Sequence, residues 1–104
     1  MTPNQPVHPG RILRETLIPE AGITVAEAAL PLGESDQTLK SILAEQTSLT
    51  AALCLKIAKL FDSSPELWLR LQTRYDLHLA THDESLARSL ERIVPALPRS
   101  RVMS

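Results

Sequence analysis

Prolines at positions 9, 19, 31, 65 and 95 divide this chain into pieces that can hold only short elements. Proline has no N–H to donate, so it marks an element's first turn or its end. Between the prolines, apolar residues recur every three or four positions, the period of a helix with one buried face. Helix 1 is predicted to begin at Pro9, to turn Ile12, Leu13 and Leu17 inward, and to stop before Pro19; Glu20, Ala21 and Gly22 then make a turn. Thr24 and Glu27 have the spacing of a capping box at the start of helix 2 (residues 24–31), whose small face is Val25, Ala28 and Ala29. Pro31 should end or distort that helix early, and Gly33 can supply the left-handed residue that closes it. Ser35 caps helix 3 (residues 35–44), which buries Leu39, Ile42 and Leu43.

A polar loop over 44–49 leads to helix 4 (residues 50–61), with Leu53, Ile57, Leu60 and Phe61 inward. Ser64 caps helix 5 and Pro65 fills its first turn; Leu67, Trp68, Leu71, Tyr75 and Leu79 follow on it. Thr81 and Glu84 repeat the capping-box spacing and open a sixth segment. It carries Leu86, Leu90, Ile93 and Val94 on one face and is ended by Pro95 and Pro98. The expected organisation is an extended arm over residues 1–8, one all-α domain over 9–80, and a C-terminal helix with a frayed tail over 81–104. Phe61, Trp68 and Tyr75 are the only aromatic residues, so the core must be aliphatic, which favours helices over sheets.

The net charge of −1 gives nucleic-acid binding no support from bulk electrostatics. A single cysteine, Cys54, excludes an intramolecular disulfide, and its apolar helical setting marks it as a small buried hydrophobe. No apolar run approaches the roughly 20 residues of a membrane span, and the N-terminus has no signal-peptide pattern. A soluble, cytoplasmic protein is expected.

Two short helices joined by a tight glycine-containing turn form the core of a helix-turn-helix. Helix 2 would lie across a DNA backbone and helix 3 would enter the major groove. At the start of helix 3, Asp36, Gln37, Lys40 and Ser41 face solvent. Gln37 can read adenine, Lys40 guanine or a phosphate, and Asp36 a cytosine amino group. Thr24, Ser35, Thr38, Thr47 and Ser48 supply further polar contacts, chiefly to phosphates. Helical bundles that never touch DNA share this pattern, and the local charge opposes phosphate. Glu34, Asp36 and Glu45 face one base, Lys40, between Glu34 and Gln46.

Three stretches carry a resemblance to a known family. They are His-Pro-Gly-Arg-Ile-Leu-Arg-Glu (8–15), Ala-Ala-Leu-Pro-Leu-Gly (28–33), and the run from Leu55 to Leu77 with its Phe-Asp-Ser-Ser-Pro-Glu-Leu-Trp and Leu-Gln-Thr-Arg-Tyr-Asp-Leu blocks. From His8 to about Leu79 the chain resembles the HigA/VapI branch of the Xre-type helix-turn-helix proteins. The resemblance implies a five-helix Xre/lambda-repressor-like domain, here with an additional C-terminal helical segment. It also implies the antitoxin of a type II toxin–antitoxin module. Such a protein binds a HigB-like mRNA endonuclease toxin and, as a homodimer, represses its own operon at a palindromic operator. The chain departs from the pattern in helix 3. Ala44-Glu45-Gln46 stands where the family has Asn-Gly-Lys or Asn-Gly-Arg, Ser41 replaces a usual arginine, and Pro31 replaces a helix former.

Catalysis finds no support: there is no phosphate loop, no nucleophile elbow, and no histidine paired with a serine or with Cys54. No cofactor is expected. His78 and His82 lie four apart, but Thr81 is expected to begin a new helix between them and no cysteine is near, so no metal site is expected. His8 matches the family's His-Pro-Gly start of helix 1, where a capping or packing role is expected. Trp68, Leu71 and Tyr75 on helix 5, with Leu86, Leu90 and Ile93 on the sixth segment, are the candidate dimer or partner interface; Trp68 and Tyr75 can equally be core. The sixth segment can pack back on the domain or pair with a second copy. Two functions remain: an antitoxin-type repressor, or a protein-interaction module on the same fold that has lost sequence-specific DNA contact.

Overall fold

His8 starts the first helix by accepting the Gly10 N–H on its ring Nδ1 at 2.9 Å, with Pro9 behind it in the first turn. Residues 5–97 are described by the computed structural model. Helix α1 comprises Pro9–Ile12, a wide π turn over Leu13–Leu17, and Ile18–Ala21. It therefore runs through Pro19, where the sequence predicted a stop. In the π turn the Ile18 N–H reaches back to the Leu13 carbonyl. That widened turn lies just before the proline ring and makes room for it. The helix ends instead at Gly22, in the left-handed region at φ 69°.

Helix α2, Val25–Leu32, has both halves of its capping box: Thr24 Oγ1 accepts from Glu27 N–H, and Glu27 accepts from Thr24 N–H. Pro31 does not end it. The proline is exposed and sits one residue before the helix ends, so its missing donor costs one bond in the last turn. Gly33 then closes α2 at φ 68°, with its own N–H and that of Glu34 returning to the Leu30 and Ala29 carbonyls. Ser35 caps α3 (Asp36–Leu43), Thr50 caps α4 (Ala51–Leu60) and Ser64 caps α5 (Pro65–Thr81). Helix α6, Glu84–Glu91, is capped by Asp83, whose carboxylate accepts from Leu86 N–H at 3.0 Å. Thr81, predicted to be that cap, still belongs to α5 and donates its hydroxyl to the Leu77 carbonyl. Among the described residues there is no strand. None of their helices is long and apolar enough to cross a membrane. The predicted arm lies partly outside the described residues, as does Pro98 with the tail beyond it.

The core is aliphatic and lies where α1 to α5 converge. Leu13, Leu39, Ile42 and Ile57 are buried, as are Ala28, Ala29, Leu53, Cys54 and Trp68. Val25, Leu60 and Phe61 are half-buried at its edge. Of the apolar residues expected on α5, Leu67 and Leu79 are exposed. The buried stripe of α5 follows Trp68 and Gln72 one turn apart, which leaves Leu67 to the side. From Thr81 to Leu97 every residue is exposed, so the sixth segment does not pack back on the domain.

Gly10 sets the distance between α1 and α3. A Cβ built there would lie 1.9 Å from the backbone oxygen of Ile42. No rotamer can relieve a clash with backbone. Gly10→Ala is expected to destabilise the fold by about 3 kcal/mol or more, read as a lowered denaturation midpoint in a urea titration.

Candidate nucleic-acid interface

Burial of Leu39, Ile42 and Leu43 fixes which side of α3 faces out. Asp36, Gln37 and Lys40 are exposed there, and Thr38 and Ser41 are half-buried beside them. Thr24 and Ser35 are exposed at the starts of α2 and α3, and Thr47 and Ser48 on the loop that follows α3. The predicted residues thus fall on the helix-turn-helix and its two flanks. Two of the hydroxyls are also structural: Thr24 caps α2, and Ser35 both accepts from Thr38 N–H and donates to Thr38 Oγ1 at 2.9 Å.

The charge balance differs from the count along the sequence. Lys56 of α4 lies 3.4 Å from Glu34, and Arg14 of α1 lies 3.3 Å from Glu45. Two of the three acids around α3 therefore sit beside cations from distant positions. Asp36 has no ion pair among the described residues and lies in the first turn of α3, where the helix dipole favours an anion.

Arg14 was not singled out by the sequence. Besides meeting Glu45, its guanidinium donates to the Leu43 carbonyl and so ties the C-terminus of α3 to α1. Glu45 itself closes α3 in the left-handed region, φ 65°, at the place where the resembled family carries glycine. A side chain there costs on the order of 1–2 kcal/mol.

The loop carrying Thr47 and Ser48 is anchored from two sides. The buried amide of Gln72 on α5 accepts the Leu49 N–H at 2.8 Å and donates to Asp76 at 2.9 Å. His8 lies edge-on to Tyr75, with ring centroids 4.9 Å apart, and hydrogen-bonds the backbone of Thr47. Burial lowers the His8 pKa below its ordinary 6.5, partly opposed by Glu45, the Thr47 backbone bond and Asp76. Periodicity could not find Gln72, because a polar residue on an apolar stripe reads as an interruption.

Trp68 is only 2% exposed and donates its indole N–H to Ser63 Oγ at 2.8 Å, so its ring belongs to the core. Leu71 and Tyr75 are half-buried. Of the six candidate interface residues, Leu86, Leu90 and Ile93 are the exposed ones. Burial pushes the Cys54 thiol pKa up, as suits an inert core cysteine. His78 and His82 stand at the end of α5 with ring centroids 4.3 Å apart, and no new helix begins between them. No group of three potential metal ligands occurs among the described residues.

Residues 13–68 match the helix-turn-helix family. The chain belongs to the Xre-like helix-turn-helix family. The matched stretch runs from the π turn of α1 to Trp68 and contains the α2–α3 pair whole. Virulence-associated protein I of Dichelobacter nodosus is 34% identical over 89 residues, 86% of this chain and 80% of its own length. The Pseudomonas aeruginosa antitoxin HigA, solved with the higBA promoter, superposes with a TM-score of 0.76 at 32% identity, over 89% of this chain and 100% of that one. The antitoxin GraA in complex with its operator gives 0.78 at 32% identity, over 94% and 98%. In helix-turn-helix terms, α3 is the recognition helix and α2 its support.

The neutral state of His8 has a consequence for stability. Its folded pKa lies below its unfolded one, so the unfolded chain binds the extra proton first as pH falls. Stability is then independent of this group above pH 6.5 and declines as pH drops below it. Urea midpoints measured from pH 7.5 to 5 should fall for the wild type, and less steeply for His8→Gln.

Proposed function

We propose that this protein is the antitoxin of a type II toxin–antitoxin module, that it binds and neutralises a HigB-like mRNA endonuclease, and that it represses its own operon as a two-fold homodimer. The observation that carries the reading is the outward edge of α3. It presents Asp36, Gln37 and Lys40 on a fold shared with antitoxins solved on promoter and operator DNA. Laid in the major groove, Gln37 offers its amide to adenine N6 and N7. Lys40 offers its ammonium to guanine or a phosphate, and Asp36 accepts from a cytosine amino group. Thr24, Ser35, Thr38, Ser41, Thr47 and Ser48 serve the phosphates on either side. These contacts hold register, and the base contacts choose the site.

Dimerisation is assigned to the segment that is left exposed among the described residues. Leu77, Leu86, Leu90 and Ile93 are all exposed on the end of α5 and beyond it. A second copy on this surface would bury them and set two recognition helices about 34 Å apart, one per half-site. The competing reading, an interaction module without DNA contact, rested on the acids around α3. Arg14 and Lys56 beside two of those acids weaken its physical basis.

The test is a gel-shift titration on the protein's own promoter across salt concentrations. Lys40 is the only cation on α3. Lys40→Ala should weaken binding and lower the salt slope by about one unit per protomer. Asp36→Asn should tighten binding overall if the carboxylate only repels phosphate. If it reads cytosine, the same change relaxes one base pair by about 1–3 kcal/mol. A wild-type protein with no preference for its promoter over random DNA would sink the repressor reading.

A further inference from the structure

Away from the recognition helix, α2 and α4 enclose a groove of about 500 Å³ lined by Pro31, Leu55, Lys56, Lys59 and Leu60. Its floor is apolar and its rim cationic. Leu55 is 62% exposed, although it lies in the middle of α4. On its other side a smaller recess of about 260 Å³, lined in part by Cys54, Pro65 and Leu69, also ends at Leu55. A large aliphatic side chain standing between two recesses is left wet on both sides in the free protein. Two apolar side chains of a partner, one in each recess, would enclose it.

We propose that this groove docks an acidic, apolar segment of the protein that the antitoxin neutralises; the inference rests on the toxin-binding reading above and names its surface. The partner's chemistry follows from the rim. Lys59 is exposed and has no ion pair among the described residues. Among the described residues Lys56 has one ion pair, to Glu34 at 3.4 Å, which a partner carboxylate can replace. A carboxylate flanked by aliphatic side chains satisfies both the ammonium groups and the floor. A basic segment would gain the floor and be repelled at the rim. None of the lining residues belongs to α3, so this surface and the proposed DNA contacts use different side chains.

The experiment uses the full-length protein and the co-expressed product of the adjacent reading frame, with affinity measured by titration calorimetry. Leu55→Glu should weaken binding by about 30-fold or more, Lys59→Glu by about 10-fold, and Lys59→Arg should retain wild-type affinity. Thermal midpoints and promoter binding of all three should match wild type, since the altered side chains are exposed and off the recognition helix. Leu55→Glu and Lys59→Glu proteins that bind the partner like wild type would overturn the groove while leaving the antitoxin reading intact. If Leu55→Glu instead splits the homodimer with partner affinity unchanged, the groove is a self-interface and the proposal is wrong. A wild-type protein that binds its promoter but not this partner removes the toxin-binding reading and the groove with it.

Discussion

Almost no space separates Gly10 from the backbone of Ile42, and the placement of the recognition helix follows from that contact. Helices usually meet through side chains, at interaxial distances that tolerate repacking. Here a glycine lets α1 rest directly on the main chain of α3. One turn on, Arg14 of α1 reaches the Leu43 carbonyl at the far end of α3. The helix that presents Gln37 and Lys40 is thus held along its second half by α1, while the Gly33 turn fixes only its start. Substitutions in α1 should be felt at α3 even though α1 carries none of the proposed DNA-contacting residues.

The loop after α3 depends on polar anchors that are buried and neutral. Gln72 satisfies Leu49, and His8 links the start of α1 to Thr47 and to Tyr75. Neutral groups suit this place, because a buried charge would need a partner of its own. His8 also spends its Nδ1 lone pair on the Gly10 N–H. A proton on that nitrogen would break the cap of α1 and face a donor with another donor. The ring therefore couples the first turn of α1 to the loop, and the coupling holds while the imidazole stays uncharged.

Local rules were legible in the sequence where the answer is local. The caps at Thr24, Ser35 and Ser64, the left-handed Gly33, and the stripes of α3 and α4 are set by neighbours a few residues apart. The two interior prolines were misread because the rule assumes a regular helix. A π turn accommodates Pro19, and nearness to the helix end accommodates Pro31. Asp83 rather than Thr81 caps α6, a choice between two acceptable residues that periodicity does not decide. The electrostatics of the site was the least legible part. Arg14–Glu45 spans 31 positions and Lys56–Glu34 spans 22, so a count along the chain sees the acids without their cations.

The chain divides by what holds each part up. As far as Tyr75, α5 lies against a core of buried aliphatic residues. Past that point only His78 and Ala80 are half-buried among the described residues, everything from Thr81 to Leu97 is exposed, and α6 has only eight residues. An isolated helix of that length is marginal in water even with a good cap. In the homodimer proposed above, its apolar positions would gain their stabilisation from a second copy, as in many small proteins that complete a core by association. On that proposal, the recognition helix and the helix assigned to assembly answer to different forces. The posture of α3 is set within one protomer by Gly10 and Arg14, whereas in the proposed homodimer the spacing between two such helices would be set by the surface that α6 buries. In the proposed homodimer, DNA affinity would be lost by two routes with different signatures. Damage to the α1–α3 contact lowers the stability of each protomer, while damage to α6 leaves the protomer folded and makes binding depend on protein concentration.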